Sequence, residues 1–184
     1  LSLVALTIAA TITPEALVVA VKAGATEDVA RIARRLGPIK LRAMLARPET
    51  ALAALVAAPT LDDAWVLLPD ITGRLPDAAA AHAAAHIAAG LRADPRRAER
   101  EEPDDDVLVS ARQACAATAD APTEPTTVRE DALRCAYDLG DREIAARVAT
   151  APAPELRLAA VALLAAGAER EPELTALRGA GADT

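Results

Sequence analysis

The sequence predicts an all-α chain built from short stacked helices, and three observations carry that expectation. Alanine supplies roughly a quarter of the 184 residues, and it has the highest intrinsic helix propensity. Thirteen Pro and eight Gly recur as punctuation between apolar-periodic segments, where they stop one helix and start the next. No segment alternates cleanly as a strand would. Phe is absent, Trp and Tyr occur once each, and β-branched residues thin out after residue 30, which disfavours a sheet.

The elements follow in order. Leu1 to Ile12 is apolar and about as long as a signal-peptide core. It has two readings, the tail of a secretory signal or a buried first helix, and its residues do not separate them. An exported or periplasmic protein follows from the first, a cytoplasmic one from the second. Thr13-Pro14-Glu15 is a helix start with a hydroxyl N-cap, a proline at the first helical position and an acid near the positive end of the dipole. That helix should end near Gly24. Thr26-Glu27-Asp28 opens the next, with Val29, Ile32, Ala33 and Leu36 on one stripe and Arg31, Arg34 and Arg35 outside it. Gly37-Pro38 ends it. A helix over 39–46 carries Leu41, Met44 and Leu45, and one over 49–58 carries Leu52, Leu55 and Val56.

Thr60-Leu61-Asp62-Asp63 matches a capping box with Asp in place of Glu, which predicts a helix to about Leu75 bearing Leu61, Trp65 and Leu68, kinked at Pro69. Trp65 belongs to its core face. Pro76-Asp77 opens the most alanine-rich helix, over 78–93, with Ala83, Ala84 and Ile87 in its apolar slots. Arg92, Arg96, Arg97 and Arg100 are then answered by Glu99, Glu101, Glu102 and Asp104 to Asp106. Opposite charges this close cancel at range, so 92–106 reads as a solvated loop. Asp104 to Asp106 read as acids at a helix start, and no EF-hand pattern follows them.

The second half is more regular. The helix after Asp106 carries Val107/Leu108, Ala111, Ala114/Cys115 and Thr118. Thr127-Val128-Arg129-Glu130 is a capping box, followed by Val128, Ala132, Cys135/Ala136 and Leu139, with Gly140 as the stop. Asp141 to Thr150 is shorter, with Ile144, Ala145 and Val148. The last clear helix, over 155–166, carries Leu156, Ala159/Ala160 and Leu163/Leu164 and ends at Gly167.

Self-comparison shows a repeat. Val128-Arg129-x-x-Ala132-Leu133-x-x-Ala136 recurs as Leu156-Arg157-x-x-Ala160-Val161-x-x-Leu164, each after a proline-bearing loop and each closed by a glycine. The helix after Pro76 fits the frame more loosely. These residues resemble the HEAT-repeat family, whose second helix starts with a hydrophobic-Arg pair after a proline-bearing turn. The resemblance implies a right-handed α-solenoid of antiparallel helical hairpins over 13–167, with 168–184 a tail or the start of another helix. It covers 60–167 most directly. Glu124 sits where the family often has an acid paired with such arginines; the second copy has Pro152 there. The spacing of about 49 and then 28 residues departs from the family norm of about 40.

Function is less legible. A net charge of −7 and the scarcity of aromatics disfavour nucleic-acid binding, which draws on basic surfaces and stacking platforms. No apolar run is long enough to span a membrane. Phosphate-loop, dinucleotide and hydrolase-elbow motifs do not occur. His82 and His86 lie four apart and share a helix face, which can clip a metal; without a following Glu or a third ligand at useful spacing, a metal-binding or enzymatic role is the alternative, not the first reading. Cys115 and Cys135 fall on the inner stripes of consecutive helices, where they read first as two small core residues; a disulfide between them is the alternative if the protein is exported. The first reading is a non-catalytic, cofactor-free scaffold for an unidentified protein partner.

Overall fold

The computed structural model describes residues 12–93 and 105–166. The reading of 1–11, the charged segment 94–104, the Gly167 stop and the tail lie outside the described residues. Among the described residues the secondary structure is helical: α1 (Pro14–Lys22), α2 (Thr26–Leu45), α3 (Pro48–Ala57), α4 (Leu68–Thr72), α5 (Ala78–Ala93), α6 (Asp105–Asp120), α7 (Thr126–Asp138), α8 (Arg142–Val148) and α9 (Pro154–Ala166), with 3-10 turns at Ala58–Thr60 and Ala64–Leu67. No helix among them is long and apolar enough to cross a membrane.

Local chemistry sets most boundaries. Thr13 caps α1, its hydroxyl accepting the Ala16 amide at 3.2 Å. Asp77 accepts the Ala79 amide at 2.9 Å, and Asp141 accepts the Ile144 amide at 3.1 Å. α1 and α7 both end in Schellman motifs. After α7 the Gly140 amide donates to Tyr137 and the Asp141 amide to Ala136, with Gly140 at φ +104°. That pattern satisfies carbonyls that the helix end would otherwise leave open. A side chain at Gly140 would force an L-residue into this backbone, so Gly140→Ala should cost about 1–2 kcal/mol in urea unfolding. An unchanged midpoint would refute that assignment. α2 is two arms joined at Gly37 (φ +72°), as the Gly37-Pro38 signal predicts.

Three boundary expectations are corrected. Residues 61–75 do not form one kinked helix. Thr60 donates its hydroxyl back to the Ala57 carbonyl at 2.7 Å, so it serves the preceding turn. Pro69 lies in the first turn of α4, where its missing N–H costs nothing, instead of inside a longer helix. Trp65 is partly buried against the core. α7 begins at Thr126 with Pro125 as its N-cap and no side-chain cap bond; the Pro125 carbonyl takes the Arg129 amide at 3.0 Å, so Thr127 is already inside the helix. Arg92 belongs to α5 and pairs with Asp138 at 2.8 Å, and Asp105 and Asp106 belong to α6, so both ends of 92–106 are helical where a solvated loop is expected.

α3 contacts α5, α5 contacts α7 and α7 contacts α9, while α2 touches α4 and α4 touches α6. Side-chain bonds give the relative directions of the helices. His82 pairs with Asp131 and Arg92 with Asp138, so residue numbers rise together and α5 runs parallel to α7. Arg129 reaches Ala119 and Cys115 joins Cys135, so numbers run oppositely and α6 and α7 form an antiparallel hairpin. α7 is the central helix, buried at Val128, Ala132, Leu133, Cys135, Ala136 and Tyr137.

The buried face of α3 differs from expectation. Leu55 is buried with Ala51, Ala53, Ala54 and Ala57, but Leu52 and Val56 point outward, 59% and 47% exposed. Small side chains suit a helix contact; four alanines turn inward beside Leu55, and the other two large aliphatics are left outside.

Candidate functional site

Chemically versatile side chains converge on the α5–α7 face. α5 is buried on most of its circumference, through Ala80, Ala81, Ala83, Ala84, Ala85, Ile87 and Ala88. The stripe left to solvent carries His82 and His86, one helical turn apart as their spacing predicts. Their rings meet edge-on, with centroids 4.4 Å apart and planes at 67°. The tertiary fold adds Asp131 from α7, whose Oδ2 lies 3.3 Å from Nδ1 of His82. Its other oxygen, Oδ1, accepts from Arg134 at 2.9 Å, and Arg134 also lies 3.6 Å from Glu130. Sequence reasoning missed Asp131, because 49 residues separate it from His82 and only the parallel packing of α5 and α7 unites them. Among the described residues no group of three His, Cys, Asp or Glu side chains converges as a metal site.

Cys115 and Cys135 are both fully buried and joined as a disulfide between α6 and α7, with Cα atoms 6.1 Å apart. The bridge locks the hairpin. A second tie is Arg129, the arginine of the hydrophobic-Arg pair, whose Nε donates to the Ala119 carbonyl at 2.9 Å. It thereby serves the negative end of α6. Among the described residues no ion pair joins it to Glu124; the arginine is used on a helix end instead of on an acid, because the carbonyls there need a donor.

Tyr137 is fully buried, flanked by the guanidinium groups of Arg142 at 4.3 Å and Arg92 at 5.3 Å from the ring centroid. This places α5, α7 and α8 around one ring. Sequence periodicity singled out Cys135/Ala136 and Leu139 but not Tyr137, because α7 is buried on several sides and a single-stripe pattern cannot represent that.

A cleft opens at the bend of α2, lined by Arg34, Gly37, Pro38, Leu61, Asp62 and Asp63. Its charges are mixed: Arg34, Asp62 and Asp63 are exposed, and Leu61 at its wall is buried.

Compared with protein-family models, curated proteins and solved structures, the chain matches none.

Proposed function

We propose that the chain is a non-catalytic, HEAT-like right-handed α-solenoid that acts as a scaffold for a protein partner. Each hairpin of such a stack touches only its neighbours, and the layer supplies an extended surface for recognition. The succession α3, α5, α7, α9, with α5 parallel to α7, supports the repeat reading, since equivalent helices of successive repeats run the same way. The arginine at the start of α7, tied to the end of α6, supports it further.

The observation that carries the binding role is the outward pair Leu52 and Val56 on α3. One turn apart, they form an apolar ridge on a helix whose inner face is already filled by Leu55 and four alanines. A complementary partner would remove that ridge from water at about 25 cal/mol per Å². The partner would present apolar side chains to α3.

A photo-crosslinking residue at position 52, introduced in the native host, should yield one discrete protein adduct. Val56→Glu should abolish that adduct without changing the far-UV circular dichroism. A crosslinking pattern no different from that of a probe at exposed Lys40 would sink the proposal.

A further inference from the structure

We propose that His82 and His86 form a two-imidazole clip for a borderline-soft divalent ion of the Zn²⁺ class, with Asp131 as its positioning residue. The inference is independent of the scaffold reading and uses a different face of the molecule. The chain has two histidines in all, and both stand in one turn of α5.

The ring arrangement suits a shared ion. Two imidazoles bound to one ion, at metal–nitrogen distances of about 2.0–2.1 Å and a near-tetrahedral angle, hold their ring centres about 5 Å apart. The present 4.4 Å separation reaches that arrangement by small side-chain rotations, and the histidine stripe faces solvent: the His82 side chain is 64% exposed.

Asp131 sets the chemistry of His82. Its Oδ2 lies 3.3 Å from Nδ1 of the ring, and a carboxylate can only accept there, so this contact favours the Nδ1–H tautomer and leaves the lone pair on Nε2. A carboxylate behind a ligating imidazole fixes its tautomer and ring orientation. Asp131 is itself held in place, because its second oxygen is occupied by Arg134. Arg134 brings a positive charge beside Asp131, but it is paired with Asp131 and Glu130 and so is largely neutralised there. Imidazole donors favour Zn²⁺, Ni²⁺ and Cu²⁺ over Mg²⁺ and Ca²⁺, which prefer oxygen. With two protein ligands the ion retains water at its remaining positions, so exchange is fast and the site is chelating, not structural.

The test is a titration of the oxidised full chain with Zn²⁺ against a chromophoric chelator, so that neither cysteine offers a thiolate. One Zn²⁺ per chain is expected, with affinity at least about tenfold lower in His82→Ala and in His86→Ala. Both residues are solvent-facing, so unchanged circular dichroism should accompany the loss. Asp131→Asn should weaken binding about tenfold and move the His82 ring toward the Nε2–H tautomer in ¹⁵N spectra. No saturable binding, or binding undiminished in the double histidine variant, overturns the clip. Unchanged affinity and tautomer in Asp131→Asn overturn the positioning role.

Discussion

Tyr137→Ala should destabilise the protein by about 3–5 kcal/mol. Tyr137 heads the fully buried side chains by volume, in a chain without Phe. Its neighbours on α7 are Ala132, Leu133, Cys135 and Ala136, and short side chains cannot swing in to fill the space of a lost ring. The cavity therefore persists, and its cost adds to the lost transfer energy. The change also removes the surface on which Arg92 and Arg142 rest, loosening α5 and α8 from α7 together. Urea unfolding followed by far-UV circular dichroism measures the loss. Tyr137→Phe keeps the ring and should retain most of the stability. A loss below about 1 kcal/mol for the alanine variant would show that the stack closes around the gap.

Removing the Cys115–Cys135 bridge should cost about 3 kcal/mol by the loop-entropy relation for a separation of 20 residues. The bridged ends belong to an antiparallel hairpin whose connection carries Pro122 and Pro125, and both sulfurs are shielded from solvent. The denatured, unreduced protein should titrate no free thiol. Reduction, or the double variant Cys115→Ala/Cys135→Ala, should lower the urea midpoint while leaving the helical content of the folded state intact. Two titratable thiols in the unreduced protein would refute the bridge. The prediction applies to protein from an oxidising compartment, where such bonds form and persist.

These two effects fall on the same hairpin and its neighbours, and they differ in how visible they are in the sequence. The proximity of the two cysteines is legible, because each lies on an apolar stripe and a short proline-bearing connection folds the two helices together; the bond is not, because two thiols on facing stripes read first as small core residues. Tyr137 is not, because periodicity assumes one buried stripe per helix and α7 has neighbours on several sides. The His82–His86 pair is legible for the same local reason as the stripes, since four residues make one turn. Asp131 becomes its partner only through the register of α5 against α7.

The corrected boundaries teach a related lesson. Thr60 and Thr127 each have the residue type and spacing of a helix cap. A hydroxyl bonds whichever backbone group is nearest, and for Thr60 that is the end of the previous helix. At α7 the carbonyl of Pro125 already receives the first helical amide, which moves the start ahead of Thr127. Leu52 and Val56 invert the usual assumption that the larger aliphatics mark the core. Where helices approach closely, volume at the contact is limiting, and alanine wins the inner face.

The sequence by itself determined that the chain is helical and where most helices begin and end. Those choices rest on local physics: alanine propensity, the N-caps at Thr13, Asp77 and Asp141, and glycines that accept positive φ at Gly24, Gly37 and Gly140. Only the tertiary structure decided which face of α3 turns inward, that Tyr137 is a central anchor, and that Asp131 stands behind His82. Each depends on how closely and in which register helices distant in the chain pack, and a 3.6-residue period contains no information on either.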